Sequence, residues 1–211
     1  MDQRIQEVLS EYEARAAKES PHIMQMPEDE WRRRRDEFML SVGHDTGRLL
    51  NILAKGAGAR RILELGSSYG YSTLWLAEAA RKTGGTVFSL EMNSPKQEYA
   101  HATIAKAGLA EYVKFFLGDA LETLTSLEGP FDFVLLDLWK DVYVSCFDLF
   151  YPKLNPGAIV VADNMLRPED YLPDALKYRR HVRSHPKIDS VLLPVGSGIE
   201  LSRYGGDLAK S

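Results

Sequence analysis

Residues 2–18 alternate apolar and charged side chains with the period of an α-helix. The apolar positions recur every three or four residues, so they form one stripe and leave the charges on the opposite face. This pattern predicts an amphipathic helix that packs against the rest of the protein. The stripe consists of Ile5, Val8, Leu9, Tyr12 and Ala16.

The segment after this helix contains two prolines and a run of arginines. Pro21 and Pro27 bracket "PHIMQMP", for which we predict an extended connector. A second helix is predicted to begin near Pro27, because proline and the acidic residues "EDE" are favoured in a first helical turn. The arginines at 32–35 can either dock an anion or form a solvated face that pairs with nearby acids. The sequence assigns this run no function.

From residue 61 the pattern changes to short apolar runs that alternate with helical segments. Each run is too apolar to leave one face in water, which is typical of a parallel sheet covered by helices on both sides. Two further runs, at 188–195 and 198–204, flank the turn "GSG" and predict an antiparallel hairpin at the edge of the sheet. The predicted parallel strands are 61–65, 86–91, 113–118, 131–137 and 158–163, and the predicted helices lie near 72–82, 95–107, 120–126, 142–150 and 173–183.

These elements predict an α/β fold, a doubly wound, Rossmann-like, mostly parallel seven-stranded sheet with N-terminal helices and an antiparallel C-terminal edge hairpin. A length of 211 residues and a hydrophobic content of 45% suit one domain with a substantial core. We therefore predict a single domain over 1–211, with the Rossmann-like core at 59–211. The helices within 1–58 are predicted to form part of the cover over substrate and cofactor.

Composition narrows the class of partner and the compartment. A net charge of −4 argues against nucleic acid as the main partner, so small molecules are expected. The single cysteine, Cys146, excludes an internal disulfide, and the N-terminus has neither the basic start nor the apolar segment of a signal peptide. No apolar run approaches the ~20 residues that cross a bilayer. These features predict a cytoplasmic protein without a membrane partner, and a homodimer is possible.

Each predicted parallel strand ends at or beside an acidic residue. A single acid at a strand end is explained by capping of the following helix. Several acids along one edge repel each other unless cations or hydrogen-bond donors compensate them. Because ligands bind at the carboxyl ends of doubly wound sheets, we expect this edge to bind a cationic or hydroxyl-rich ligand. The acids are Glu64, Glu91, Asp119, Asp137 and Asp163.

The first predicted strand runs into the glycine turn "ELGSSYGYS" at 64–72. The dinucleotide fingerprint G-x-G-x-x-G is incomplete here, since Gly66 and Gly70 flank the turn and the middle glycine is missing. This disfavours a nicotinamide cofactor. Glu91 is positioned for the hydroxyls of a ribose, and Asp119 for an adenine amino group or a water. An adenosine cofactor without a pyrophosphate fits, and S-adenosylmethionine is one.

The stretch "FDFVLLDLWKD" at 131–141 is a buried strand that ends in a cluster of charge. Asp137, Asp163 and Asn164 offer only oxygen ligands, which suit a hard cation such as Mg²⁺, although "ADN" alone can simply end a strand. Lys140 can be a surface lysine, but beside a cation and a sulfonium its pKa would be depressed, as a general base requires. The histidines His22, His101, His181 and His185 are not predicted to form a site.

The motifs "ILELGSSYGYS", "LEMN", "LDLWKD", "ADNMLRP" and "GIEL" resemble, in order and spacing, the metal-dependent class I methyltransferases, and most of all the catechol O-methyltransferases. The similarity runs from Leu40 to about Tyr204. The resemblance implies that the cofactor pocket is lined by Val42, Glu64, Gly66, Tyr69, Ser72, Glu91, Met92, Asp119, Asp137 and Trp139. It implies Asp137, Asp163 and Asn164 as metal ligands, Lys140 as the base, and Glu200 as the partner of a substrate hydroxyl.

The resemblance also implies where the acceptor binds, with Phe38, Leu40, Trp139, Pro168 and Glu200 as its substrate residues. Trp139 and Pro168 would wall the ring of the substrate. Phe38 stands where the family has a second tryptophan, and His44 and Leu138 stand where it has an acid and a histidine. The differences therefore concentrate on the acceptor.

Together these features predict an S-adenosylmethionine-dependent O-methyltransferase that acts on a catechol, a vicinal dihydroxy aromatic, with bound Mg²⁺. Two alternatives stay open at this point. One is a nicotinamide-dependent oxidoreductase on the same sheet, which the missing glycine disfavours. The other is a cofactor-binding protein that kept the fold without catalysis.

Overall fold

The structure is a computed structural model that describes residues 1–205, so the end of the predicted domain, 206–211, lies outside the described residues. The strands are β1 (Arg61–Leu65), β2 (Thr86–Glu91), β3 (Val113–Leu117), β4 (Phe131–Leu136), β5 (Leu154–Ala162), β6 (Ile188–Leu193) and β7 (Ile199–Tyr204). The helices are α1 (Gln3–Gln25), α2 (Glu28–Arg34), α3 (His44–Gly56), α4 (Tyr71–Thr83), α5 (Ser94–Lys106), α6 (Ala120–Ser126), α7 (Tyr143–Phe150) and α8 (Leu172–Arg183).

The strands form one seven-stranded sheet in the order β3-β2-β1-β4-β5-β7-β6. Strands β1 to β5 pair in parallel, and β7 joins β5 and β6 in antiparallel fashion. The predicted α/β fold class, including the antiparallel C-terminal hairpin, is confirmed. The strand order reverses between β1 and β4, which is the position where doubly wound sheets bind ligands.

Strand β4 is apolar because both of its faces are covered. Phe133 and Leu135 pack into the core cluster on one side of the sheet, and Val134 and Leu136 pack into the cluster on the other side. All four side chains are fully buried. A central parallel strand therefore has a continuous run of apolar residues in its sequence, as predicted.

The N-terminal region differs from the prediction at "PHIMQMP". This segment is not an extended connector, since α1 continues through Pro21 to Gln25. Proline removes one backbone donor from the helix. Two residues before it, Glu19 accepts hydrogen bonds from the backbone of Met39 and from Arg15, and these contacts fix this part of α1. The second helix does begin after Pro27. Within residues 1–205, no helix combines the length and the apolar character needed to cross a membrane.

Candidate active site

A cavity of about 590 Å³ opens at the carboxyl ends of the parallel strands, within the usual range for small-molecule sites of ~300–1,000 Å³. It lies beside the β1/β4 reversal and is covered by the segment after α2. Most of the predicted site residues line it, so the strand ends converge as expected. These residues are Leu40, Val42, Gly66, Glu91, Met92, Asp119, Asp137, Trp139, Lys140, Asp163, Asn164 and Pro168.

The glycine turn after β1 forms the floor of the cavity. Gly66 has a φ of 93°, and a Cβ at this position would collide with the backbone carbonyl of Asp137. The glycine therefore allows the turn to lie against the end of β4. From the N-terminal helices, the Tyr12 hydroxyl donates to the carbonyl of Tyr69 at 2.6 Å and ties α1 to this turn.

Glu91 ends β2 with its carboxylate directed at the turn. It accepts hydrogen bonds from the backbone amides of Ser68 at 2.8 Å and Asn93 at 2.9 Å, and it lines the cavity while only 9% exposed. Two amide donors hold the group in place and leave lone pairs on both oxygens for a ligand. Asp119 lines the cavity as well and also caps α6 by accepting from the amides of Leu121 and Glu122. The position of Asp119 therefore allows it both to cap α6 and to contact a ligand in the cavity.

Glu64 lies behind the glycine turn and lines neither the cavity nor the adjoining recess, so its place in the cofactor pocket stays a prediction. It is fully buried, and its carboxyl oxygens accept hydrogen bonds from the hydroxyls of Ser72, Thr73 and Ser89. Burial raises its pKa to about 7, against the opposing effect of the hydroxyl donors. Its position supports the turn from the protein interior.

Tyr69 and Ser72 line a small recess next to the main cavity. The recess shares Val42, Gly66 and Asp137 with the cavity wall. Both residues therefore lie at one end of the site, on the side of α1 and α4. Tyr69 additionally donates from its hydroxyl to the backbone carbonyl of Glu37 at 3.1 Å.

The predicted metal ligands Asp137, Asp163 and Asn164 meet at the ends of β4 and β5, and all three line the cavity. Asp163 is 2% exposed, and its Oδ1 has no hydrogen-bond partner among residues 1–205. Burial, with a further contribution from Asp137, raises the pKa of Asp163 to about 7. A buried carboxylate oxygen without a donor is costly, and a cation would compensate it. Together with the all-oxygen donor set, this fits a hard divalent ion.

Lys140 is buried at the same edge. Its Nζ donates to the carbonyl of Leu138 at 2.9 Å, the hydroxyl of Tyr143 at 2.6 Å and Oδ1 of Asn164 at 2.9 Å, and it lies 3.8 Å from Oδ1 of Asp137. Burial lowers the pKa of this lysine, while Asp137 opposes the shift. Lys140 is therefore not a surface lysine. Its amine lies within reach of both the metal-ligand set and the cavity.

An aromatic wall closes the outer part of the cavity. Trp139 and Pro168 line it as predicted, and Tyr171 joins them with its ring centroid 6.0 Å from that of Trp139. Phe38 does not line the cavity, and its assignment as a substrate residue stays a prediction. It is 9% exposed and stacks on Trp31 at 6.2 Å, and Trp31 is the side chain that reaches the cavity.

Trp31 and Tyr171 are site residues that the sequence reasoning missed. In the sequence, each is distinguished only as an aromatic residue within an otherwise charged segment. Another missed contact is the ion pair between Lys96 and Asp36, at 2.8 Å, which joins α5 to the segment after α2 at the rim of the cavity.

Glu200 is not part of the cavity wall, and its role as partner of a substrate hydroxyl stays a prediction. It is fully buried on β7, where Arg179 and Arg183 of α8 pair with its carboxylate at 3.2 and 2.6 Å. The hydroxyl of Ser190 on β6 adds a third donor at 2.6 Å. The carboxylate is thus engaged in joining α8 to the antiparallel hairpin.

Two of the histidines that were expected to be scattered come together. His181 and His185 lie with Asp148 on the outer side of α7 and α8, where one ligand atom from each residue is within 4.8 Å of the others. None of the three lines the cavity.

Known proteins share this sequence pattern and this fold. The family model described as O-methyltransferase matches residues 12–204. Catechol O-methyltransferase of Mycobacterium tuberculosis is 34% identical over 163 residues, which are 73% of this chain and 74% of that protein. Caffeoyl-CoA O-methyltransferase 2 of Zea mays is 30% identical over 186 residues, 78% of this chain and 70% of that protein.

Solved structures agree with these relatives. The O-methyltransferase TomG of Streptomyces achromogenes, which is involved in tomaymycin synthesis and was crystallised in complex with SAM, superposes with a TM-score of 0.75 at 28% identity. The superposition covers 98% of this chain and 91% of that one. An O-methyltransferase of Bacillus cereus in complex with SAH gives a TM-score of 0.75 at 25% identity, with 97% and 91% covered.

These similarities decide between the alternatives left open by the sequence. They favour neither a nicotinamide-dependent oxidoreductase nor a protein that only binds a cofactor. The family match extends over most of the chain, and the cavity has the acidic strand ends and glycine turn of a nucleoside cofactor site. The chain belongs to the O-methyltransferase family and is an S-adenosylmethionine-dependent O-methyltransferase.

Proposed function

We propose that this methyltransferase transfers the methyl group to a hydroxyl of a catechol-type small molecule with the help of a bound Mg²⁺ ion. The observation that carries the proposal is the buried Oδ1 of Asp163. In the part of the chain that the structure describes it has no hydrogen-bond partner, and Asp163 lies in one cavity wall with Asp137 and Asn164. The catechol O-methyltransferase among the relatives supports the choice of acceptor.

The cofactor site is proposed to use the ends of β1, β2 and β3. Glu91 would accept hydrogen bonds from the ribose hydroxyls, because its two amide donors already fix its orientation. Asp119 and Met92 would border the adenine, and Tyr69 and Ser72 would border the amino-acid end in the adjoining recess. When bound, S-adenosylmethionine supplies an electrophilic methyl group on a sulfonium.

The metal site is proposed to consist of Asp137, Asp163 and Asn164. Asn164 keeps one lone pair on Oδ1 for an ion while its other lone pair accepts from Lys140. When bound, Mg²⁺ supplies positive charge that lowers the pKa of an adjacent phenolic hydroxyl. The ion would also offset the burial of Asp163 and its repulsion by Asp137, which in that order raise the pKa of Asp163.

Lys140 is proposed to accept the phenolic proton at Nζ. Nζ donates three hydrogen bonds in the structure, so it must give up one proton and one of these bonds before it can act as the base, and burial favours that loss because it lowers the pKa of the lysine. The Tyr143 hydroxyl, which donates to the carbonyl of Leu136 at 2.9 Å, holds the nitrogen in place. Trp139 and Pro168 would orient the acceptor ring and exclude water. These residues would hold the deprotonated acceptor oxygen in line with the methyl group that the bound cofactor would supply.

The test is methylation of catechol by purified protein with and without Mg²⁺, in parallel with calorimetric titration of the ion. Turnover should disappear in excess EDTA and return when Mg²⁺ is added back. Asp163→Asn should weaken ion binding and turnover together, whereas Asp189→Asn, a change on an exposed aspartate of β6, should alter neither. Full methyl transfer by metal-free protein would overturn the metal assignment, and methylation of simple phenols in preference to catechol would overturn the acceptor.

A further inference from the structure

Three of the four arginines at 32–35 are paired with acids, and one is not. Arg32, Arg33 and Arg34 form ion pairs with acids of the same segment, in one case with two. Within residues 1–205, Arg35 has no carboxylate within ion-pair distance. The solvated-face interpretation of the run therefore holds for three residues and leaves Arg35 to be explained.

Arg35 is directed at the aromatic wall of the cavity. Its guanidinium carbon lies 3.6 Å from the ring centroid of Trp139, and its Nη1 donates to the hydroxyl of Tyr171 at 3.3 Å. Stacking uses the face of a guanidinium and leaves the N–H groups on its edge available. Among residues 1–205 only one of its five N–H donors has a partner, so the group can still bind an anion through two parallel hydrogen bonds.

The two lysines that line the cavity are already engaged. Lys96 is paired with Asp36, and the amine of Lys140 donates to three oxygen acceptors. Arg35 is not itself part of the cavity wall, but it contacts two residues that are, Trp139 and Tyr171, and within residues 1–205 it is half-buried without an anionic partner. The inner wall of the cavity is acidic and would repel an anionic group on the acceptor. Arg35, beside the outer aromatic wall, would attract such a group.

We infer that Arg35 binds an anionic substituent, a carboxylate or a phosphate, on the phenolic acceptor. The inference rests on the proposed function, because it concerns the acceptor of that reaction. It makes the acceptor class a catechol with an acidic side group and not an unsubstituted or cationic one. Arg35 then determines specificity while Trp139 and Tyr171 hold its guanidinium in place.

The test compares protocatechuate, a catechol that bears a carboxylate, with its neutral methyl ester. Binding of each compound in the presence of S-adenosylhomocysteine and Mg²⁺ is measured by calorimetry, and kcat/KM is measured with S-adenosylmethionine. Arg35→Gln should reduce the preference for the acid over the ester by about ten- to a hundredfold, the effect of losing one hydrogen-bonded charge pair. Arg33→Gln is the control, because Arg33 pairs with Asp29 on an exposed face.

The ratio of the values for the acid and the ester isolates recognition of the anionic group. A folding defect or a displaced Trp139 would weaken the binding of both compounds equally and leave this ratio unchanged. An unchanged ratio in Arg35→Gln would overturn the inference and leave Arg35 as a structural support for Trp139. If the wild type binds both compounds but methylates neither, the proposed function fails, while the binding ratio still decides the role of Arg35.

A second inference concerns the cluster of Asp148, His181 and His185, which lies outside the cavity. His181 Nε2 lies 2.7 Å from Oδ1 of Asp148, and His185 donates from Nδ1 to the backbone carbonyl of His181 at 2.9 Å. That bond fixes the tautomer of His185 with a lone pair on Nε2, an arrangement common in histidines that bind metals. All three side chains are at least partly exposed.

We propose that this cluster binds a transition-metal ion of the Zn²⁺ type. Two imidazoles and a carboxylate are donors that suit Zn²⁺ and not Mg²⁺, and the two histidines are spaced four residues apart at the end of α8. Ligand atoms on one Zn²⁺ lie roughly 3–4 Å apart, so the present separation of up to 4.8 Å closes with a small side-chain rotation. A water would complete the coordination.

The test is titration of Asp163→Asn protein with Zn²⁺ alone, a background that weakens competing binding in the cavity. Binding of one equivalent should be lost, or weakened at least about tenfold, in His185→Ala and in His181→Ala. His101→Ala, which changes a histidine on α5, should bind as the parent does. Zn²⁺ affinity in His185→Ala and His181→Ala that equals that of the parent, or no binding to the parent, would overturn the site.

Discussion

Replacing Glu64 by glutamine tests whether this carboxyl supports the glycine turn from within the protein. Glu64 is fully buried, and three hydroxyls donate to its oxygens at 2.6–2.7 Å. Glutamine has nearly the same shape and carries no charge. One of the hydroxyls can rotate to accept from the new amide group, so the cluster stays satisfied. The substitution therefore removes the titration of this position with little change in packing.

The magnitude follows from the pKa of Glu64, which burial raises from 4.5 to about 7. Between these two pH values the folded protein keeps the proton and the unfolded chain releases it. The stability that this carboxyl contributes in its protonated form is therefore lost as the pH rises from 4.5 to about 7. At roughly 1.4 kcal/mol per pH unit over this window, the total is about 3 kcal/mol.

The assay is urea unfolding of wild type and Glu64→Gln from pH 5 to pH 8. The free energy of unfolding of the variant minus that of the wild type should increase by about 2–3 kcal/mol across this range. Other buried carboxyls, such as Asp163, titrate in both proteins and cancel in the difference. S-adenosylmethionine affinity should remain near the wild-type value. A difference that does not vary with pH would refute the burial argument, and a large loss of affinity would return Glu64 to the cofactor pocket.

Three further changes test the other assignments. Glu91→Ala should weaken S-adenosylmethionine binding by about ten- to a hundredfold in calorimetry, since charge-assisted hydrogen bonds to the ribose are lost, and unchanged affinity would remove it from the site. Lys140→Ala should lower single-turnover methylation about 10²–10⁴-fold while cofactor affinity changes little, and Lys140→Arg should not restore it, because a guanidinium stays protonated. Wild-type chemistry in Lys140→Ala would exclude it as the base. Glu200→Gln should reduce the free energy of unfolding by about 2–3 kcal/mol without raising KM for the acceptor, whereas a raised KM at unchanged stability would restore its substrate role.

Most of the fold and much of the cavity could be predicted because they depend on local sequence features. The apolar runs identified the parallel strands, and the acids at the strand ends identified the edge where the cavity opens. Parallel strands bring their carboxyl ends to one edge, so residues as distant as Glu91 and Asp163 could be expected in one cavity. The sequence also showed that the glycine turn lacks the middle glycine of the dinucleotide fingerprint.

The remaining assignments depend on contacts between distant segments, which no local pattern encodes. The residues that neighbour Glu200 in the sequence do not indicate whether its side chain faces the cavity or the arginines of α8. The packing of α8 on the hairpin determines that it faces the arginines. Trp31 and Phe38 are both aromatic residues near the cover, and their mutual stacking determines which one reaches the cavity. His181 and His185 form a cluster with Asp148 only because α7 and α8 are neighbours.

The abrupt change from core to charge at the end of β4 has one physical cause. The strand is buried on both faces as far as Leu136, and the chain then enters the space that Gly66 leaves free by lacking a side chain. The low polarity that makes the strand stable also surrounds Asp137 and Lys140, so their charges are weakly solvated and respond strongly to a cation or a ligand. Substituting Gly66→Ala would fill that space against the carbonyl of Asp137 and should therefore impair metal and cofactor binding together, even though it changes no charged group.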